Sequence, residues 1–134
     1  PVQFARDIED SLDEDGIWIF EQSYFPFMLK TNSFDTICHE HLEFYSLKQI
    51  NWIADKVGLK IIDVDFNKVN GGSFSVTAAK KLSAHRPHSN KLNKIIDDEN
   101  SIGPEDFEMF KNNIEKAKKD LLDFLTNAKS HFDS

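Results

Sequence analysis

The feature that most constrains the fold is an unbroken apolar run, Ile17-Trp18-Ile19-Phe20, that follows a helical pattern and a tight turn. Residues 2–14 place apolar side chains on one face and charged ones on the other, as an amphipathic helix does. Gly16 suits the left-handed conformation that ends such a helix. A short apolar run favours a strand covered on both faces, as in a parallel sheet. This order is typical of the end of a βαβ unit whose first strand is absent.

Capping residues and periodicity predict two further helices. Ser46 and Gln49 form a capping box at the start of an apolar stripe that Gly58 closes. Pro104 suits the first position of a long helix, in which apolar residues recur every three or four positions as far as Ala128. A stripe of this kind packs against a core or a partner helix.

The segments between these two helices predict a hairpin and then an exposed stretch. Residues 60–66 and 73–79 alternate between apolar and polar side chains, and the glycine pair between them suits the loop of an antiparallel hairpin. Residues 80–100 are rich in basic side chains and poor in apolar ones, so we expect an exposed loop or linker there. An anion-binding loop is the alternative.

Charge and composition limit the classes of partner. The chain carries 16 basic and 23 acidic side chains, a net charge of −7, which disfavours polymeric nucleic acid because its binding needs a basic stripe. Cys38 is the single cysteine, which excludes an internal disulfide and a cysteine-cluster zinc site. No apolar run approaches the ~20 residues of a membrane span. We therefore expect no membrane association and a cytoplasmic protein.

The densest group of reactive side chains is Cys38-His39-Glu40-His41. A metal site would use His39 and His41, which share a face if the segment is a strand. A nucleophilic site would use Cys38 beside His39. An acid–base site would use one histidine with Glu40 as its orienting carboxylate. On the residues alone, a polar loop with ordinary surface histidines is the first choice.

The segment from Phe34 to Leu47 resembles the signature of the sugar C-methyltransferases, S-adenosylmethionine-dependent enzymes that methylate a carbon of nucleotide-linked keto-deoxysugars. Its Glu-His pair is followed by Tyr-Ser, as in that family. Residues 16–21 are similar to the family's glycine and apolar strand ending in Phe-Glu, and residues 71–73 are similar to its Gly-Gly-Ser turn. The resemblance covers residues 4–80 and, more loosely, the helix over 104–129.

The resemblance implies a catalytic site. His41 would be the general base that takes the proton from the sugar carbon beside the ketone, and the enolate would attack the methyl group of S-adenosylmethionine. Glu40 would orient His41 and support its charge. Cys38 stands where some members have a tyrosine, and a thiol is a weaker donor than a phenol. The expected substrate contacts are Tyr24, Tyr45, Gly71, Gly72 and Ser73; no cofactor-binding or metal-binding residue is expected in the chain.

The resemblance also implies an α/β fold: the C-terminal part of a Rossmann-like class I methyltransferase sheet with an antiparallel hairpin, followed by a long helix. Residues 1–80 would end the methyltransferase domain, residues 81–103 would be a linker or loop, and residues 104–130 would lead to a C-terminal domain. The family's glycine-rich cofactor loop, N-terminal zinc domain and second Rossmann-like domain have no counterpart here. We therefore expect a central segment of a longer enzyme, inactive alone.

Two other functions remain open at this point. One is a non-catalytic interaction module that packs the helix over 104–130 on a partner or on a second copy of the chain. The other is a metal-binding protein that uses the His-x-His pair. The identity of the sugar, of the methylated carbon and of the nucleotide is not encoded in any recognisable motif.

Overall fold

The computed structural model describes residues 1–39, 41–68 and 72–132, with side chains as far as Lys129. A small sheet is flanked by helices, and the chain ends in a long helix. The elements are α1 (Val2–Ser11), β1 (Ile17–Ser23), α2 (Phe25–Thr31), a 3-10 turn (Phe34–Thr36), α3 (Leu47–Lys56), β2 (Leu59–Asn67), β3 (Ser73–Lys80), α4 (Ser89–Asn100) and α5 (Pro104–Phe132). The α/β arrangement expected from the sequence is thus confirmed.

The sheet has the strand order β1-β3-β2, and β3 pairs antiparallel with both neighbours. Because it is central, β3 is the most buried strand, with Phe74 and Val76 fully enclosed. Alternation along a strand places these two side chains on the same face. That face packs with α1 and α3 into one core, which Leu47 and Ile50 of α3 and Ala5 of α1 complete.

Three predictions from local patterns are confirmed. β2 and β3 form the antiparallel hairpin, with Asn67 opposite Ser73. The capping box is present at the start of α3, where the Ser46 backbone N–H donates to Gln49 Oε1 at 3.0 Å. The long helix begins at Pro104, as expected.

No helix in the described part of the chain has the length and apolar character needed to cross a membrane.

Residues 17–20 form a strand, as predicted, but the expected surroundings are wrong. β1 pairs antiparallel, not parallel, with its neighbour in the described sheet. Trp18 and Phe20 pack against the core, with ring centroids 4.2 Å apart, whereas Ile17 and Ile19 on the opposite face are 46% and 60% exposed. An apolar run indicates a strand, but it contains no information about the direction of the strand beside it.

The predicted loop or linker over residues 81–103 is wrong for its second half. Residues 89–100 form α4. Leu92, Ile95 and Ile96 recur at helical spacing and pack on the core, while the basic side chains lie on the outer face. The abundance of charge concealed a narrow apolar stripe that is sufficient to hold a helix against β2 and α3.

Candidate functional site

Three chain segments meet at the end of β1, close to the reactive residues. The backbone N–H of Phe25 donates to the carbonyl of Tyr45 at 2.9 Å, and Tyr24 and Tyr45 form an isolated parallel bridge. The N–H of Tyr24 donates to the carbonyl of Gly72 at 3.0 Å. This backbone junction brings together three predicted site residues, Tyr24, Tyr45 and Gly72.

His41 lies in the irregular segment that enters this junction and is exposed to solvent. Its backbone N–H donates to the Cys38 carbonyl at 3.1 Å, which closes a tight turn. The ring centroids of His41 and Phe44 are 6.5 Å apart. His41 belongs to the two chain segments that line a cavity of about 180 Å³: Gln22, Ser23, His41, Leu42, Glu43 and Phe44. A small ligand in this cavity would lie beside His41, Glu43 and Gln22.

Tyr45 lines two larger spaces. One is an apolar cavity of about 350 Å³ beneath α1, and the other is an open cleft of about 600 Å³ that Glu43 also lines. The Tyr45 hydroxyl donates to Glu43 Oε2. Burial and the Glu43 carboxylate raise the pKa of Tyr45 to about 12. The phenol therefore stays protonated at neutral pH, and its single O–H is donated to Glu43.

Tyr24 lies on the buried side of the junction. It is 5% exposed, and its hydroxyl donates to Glu99 Oε1 at 2.8 Å. Burial, reinforced by Glu99 and Asp98, raises the pKa of Tyr24 well above its ordinary value. Its ring packs on Phe27 and Phe74, with centroid distances of 5.0 Å to each. The structure therefore gives Tyr24 a clear role in packing.

Two of the predicted turn residues, Gly72 and Ser73, adjoin the backbone junction. Gly72 has φ +121°, and a Cβ on it would lie 2.5 Å from Phe27 Cδ2, so the close approach of Phe27 requires glycine. Ser73 is 3% exposed within β3, between Ser23 of β1 and Asn67 of β2. Glu40 and Gly71, the other two predicted site residues, lie outside the described residues.

Two side chains near the site escaped the sequence interpretation. Gln22 lines the His41 cavity, and its position two residues after Phe20 and four after Trp18 assigns it to their face of β1. Glu99 follows Leu92, Ile95 and Ile96 at helical spacing, which predicts a position on their face of α4. Alternation and helical periodicity were therefore sufficient to locate both, although neither pattern predicts their hydrogen bonds.

The hypothesis of a metal site at His39 and His41 finds less support. The strand geometry assumed for a metal site at His39 and His41 is not observed, because residues 38–39 form a bend and a turn. Within the described ranges, no group of three or more His, Cys, Asp or Glu side chains is arranged to hold a metal ion. Cys38 is exposed and is not part of a disulfide.

Comparison with known proteins shows which proteins this chain is similar to. Residues 68–133 match the family model described as the C-methyltransferase C-terminal domain. The chain is also 39% identical over 74 residues to the C-methyltransferase NovU of Streptomyces niveus. That match covers 55% of this chain and 18% of the NovU chain. Over these residues the chain is thus similar to C-methyltransferases, in agreement with the resemblance found in the sequence, and the matched part spans less than a fifth of NovU's length.

Proposed function

We propose that this chain carries the substrate-side base of an S-adenosylmethionine-dependent C-methyltransferase that acts on a nucleotide-linked keto-deoxysugar. The observation that carries the proposal is the exposed imidazole of His41 in a cavity at the end of β1, beside Glu43 and Gln22. His41 removes the proton from the sugar carbon adjacent to the ketone. Such a carbon acid needs a base whose pKa lies near neutrality, which is the ordinary range of histidine.

Neighbouring residues have supporting roles in this proposal. Glu40 accepts a hydrogen bond from His41 and stabilises the imidazolium that forms. Tyr45, whose phenol stays protonated, exchanges its hydrogen bond to Glu43 for one to the developing enolate oxygen or to a sugar hydroxyl when the substrate binds. The burial of Tyr24 and Ser73 favours a role in supporting the junction over direct contact with the sugar.

The methyl donor of the proposed reaction is S-adenosylmethionine, and the described residues do not fit a site for it. A nucleotide-type cofactor is commonly held by a glycine-rich loop between a strand and a helix. Here β1 is followed directly by Tyr24 and by Pro26, which has no backbone N–H, in the first turn of α2. The methyl-transfer step is therefore not assigned to any residue of this chain.

The proposal is tested by separating proton removal from methylation in the enzyme that contains this chain. In the absence of the methyl donor, NMR can monitor the exchange of the sugar proton with deuterated solvent. The rate of this exchange reports on the base alone. His41→Ala should slow both this exchange and kcat by ~10²–10⁴, the usual contribution of a general base. His39→Ala, which removes the neighbouring imidazole, is the matched control and should change both rates less than about tenfold. Normal proton exchange in the His41→Ala enzyme would remove His41 from the mechanism.

A second candidate function, docking through α5, is favoured by one observation. Leu121, Leu122, Phe124 and Leu125 are each more than half exposed on this helix. Large apolar side chains clustered on a surface are typical of an interaction site. Sedimentation of the chain over a range of concentrations tests self-association, which Leu121→Lys with Phe124→Lys should abolish; a monomer at all concentrations would argue against it.

A further inference from the structure

α4 buries an acidic side chain that has no role in the proposed chemistry. Glu99 is 6% exposed. Its Oε1 accepts hydrogen bonds from the Tyr24 hydroxyl at 2.8 Å and from the Leu47 backbone N–H at 2.7 Å, and its Oε2 accepts from the Lys48 backbone N–H at 3.0 Å. A carboxyl group is costly to bury without partners, so these three donors account for its position.

The two backbone donors are the first N–H groups of α3. Such groups have no partner within their own helix, and the positive end of the helix dipole favours a carboxylate there. The backbone N–H of the next residue, Gln49, already donates to the Ser46 side chain in the capping box. Lys48 Nζ also donates to Asn100 Oδ1 at 2.8 Å, so the end of α4 holds the start of α3 at two points. We call Glu99, the Tyr24 hydroxyl and the N–H groups of Leu47 and Lys48 the Glu99 clamp.

The Glu99 clamp reaches the candidate site from both sides of the backbone junction. Tyr24 is bridged to Tyr45 through the backbone, and Tyr45 is separated from Leu47 by one residue. The Glu99 side chain therefore holds both ends of this connection, Tyr24 and Leu47. The segment that enters the junction carries His41, whose position relative to the sugar decides the rate of proton removal. A displacement of about 1 Å can reduce such a rate by ~10².

We infer that Glu99 is a positioning residue for the base of the proposed reaction, an inference that rests on the function proposed above. Glu99 lies within residues 68–133, which match the C-terminal domain of C-methyltransferases, whereas its partners lie earlier in the chain. Through the Glu99 clamp, this C-terminal segment fixes the geometry of a catalytic loop that it does not itself contain.

The test compares three variants of the enzyme that contains this chain. Glu99→Ala removes all three acceptor contacts, and Glu99→Gln keeps the size and one acceptor oxygen. Asp97→Asn, a change at an exposed carboxylate on the same helix, is the matched control. We expect Glu99→Ala to reduce kcat and the rate of sugar-proton exchange by ~10–10² with a smaller change in KM. Glu99→Gln should recover part of this loss, and the control should not differ from the unmodified enzyme.

Amide hydrogen exchange distinguishes positioning from a general loss of stability. In Glu99→Gln, exchange should accelerate at Leu47 and Lys48 and remain slow at Val76 in the centre of the sheet. If these two amides exchange faster while kcat is unchanged, the inference is overturned. Should Glu99→Ala not fold, Glu99→Gln and Tyr24→Phe give the same comparison. A normal rate in His41→Ala would instead refute the proposed function, and the exchange at Leu47 and Lys48 would be unaffected by that result.

Discussion

Two tyrosine–glutamate pairs lie on either side of one backbone bridge and differ chiefly in burial. Tyr24 is enclosed and donates to the buried Glu99, which also accepts two backbone N–H groups. Tyr45 is half-buried and donates to the exposed Glu43, which borders the His41 cavity. The same chemical pair therefore supports the framework where water is excluded and remains accessible to a ligand where water enters.

The difference has an energetic basis. A hydrogen bond to a carboxylate is stronger in a low-dielectric interior, and each unsatisfied partner there is costly. A solvent-exposed pair competes with water and contributes little to folding. The buried pair should therefore be sensitive to substitution through the stability of the chain, and the exposed pair through ligand binding and catalysis.

The largest disruption of the buried side is expected at Gly72, whose carbonyl accepts the Tyr24 N–H. Gly72→Ala combines a clash with Phe27 and a positive φ, and should destabilise the chain by about 2–4 kcal/mol. Gly58 also has a positive φ, +86°, but its Cβ would meet open space, so Gly58→Ala should cost only about 1 kcal/mol. Urea unfolding of the chain measures both values.

Gly103 is the matched control for this series, since an added Cβ there meets no atom within 4 Å and the backbone needs no positive φ. Gly103→Ala should change the free energy of unfolding by less than about 0.5 kcal/mol. Equal effects at Gly72 and Gly58 would mean that backbone conformation alone matters and that the contact with Phe27 is unimportant.

The comparison is tested directly by removing one hydroxyl at a time. Tyr24→Phe deprives Glu99 of one of its donors in a buried environment and should destabilise the chain by about 1–3 kcal/mol. Tyr45→Phe removes the partner of an exposed carboxylate and should cost less than about 0.5 kcal/mol. Unfolding in urea measures the difference between the two variants. If both cost the same, burial does not distinguish the pairs.

Local sequence signals predicted much of the framework. The capping box of Ser46 and Gln49, the glycine pair between two alternating segments, and Pro104 at a helix start each depend on residues a few positions apart. Such interactions form within one element and need no information about tertiary structure. The reactive segment could be located from the sequence for the same reason, because its histidines and carboxylates are adjacent there.

Features that depend on distant contacts were not predictable in this way. Glu99 bonds to residues 52 and 75 positions away, and its polar character favoured an exposed position. The antiparallel partners of β1 lie 50 to 62 residues further along the chain, at residues 73–79. A hydrophobic pattern reports which face of an element is buried, whereas the partner is decided by the packing of the whole chain.

A smaller effect than at the buried tyrosine is expected at the other end of α4, where a carboxylate is paired near the surface. Asp63 is partly buried, which opposes its ionisation, but the Lys91 ammonium and the Val64 N–H hold the pKa of Asp63 below its ordinary value of 3.8. His88 and Asp65 complete this cluster. A lowered pKa in the folded state stabilises the chain above about pH 3.8, and this contribution is lost as the pH falls through the folded pKa.

Replacement of Lys91 tests how much this ion pair near the surface contributes to the free energy of unfolding. Lys91→Met should reduce the free energy of unfolding by about 0.2–1 kcal/mol near neutral pH, since its partner is only partly buried. The difference from the unmodified chain should shrink in acid, because protonated Asp63 no longer attracts an ammonium group. Lys94→Met, at an exposed lysine on the same helix, should show no pH-dependent difference in urea unfolding. If the effect of Lys91→Met is constant with pH, packing of the lysine stem and not its charge stabilises this end of α4.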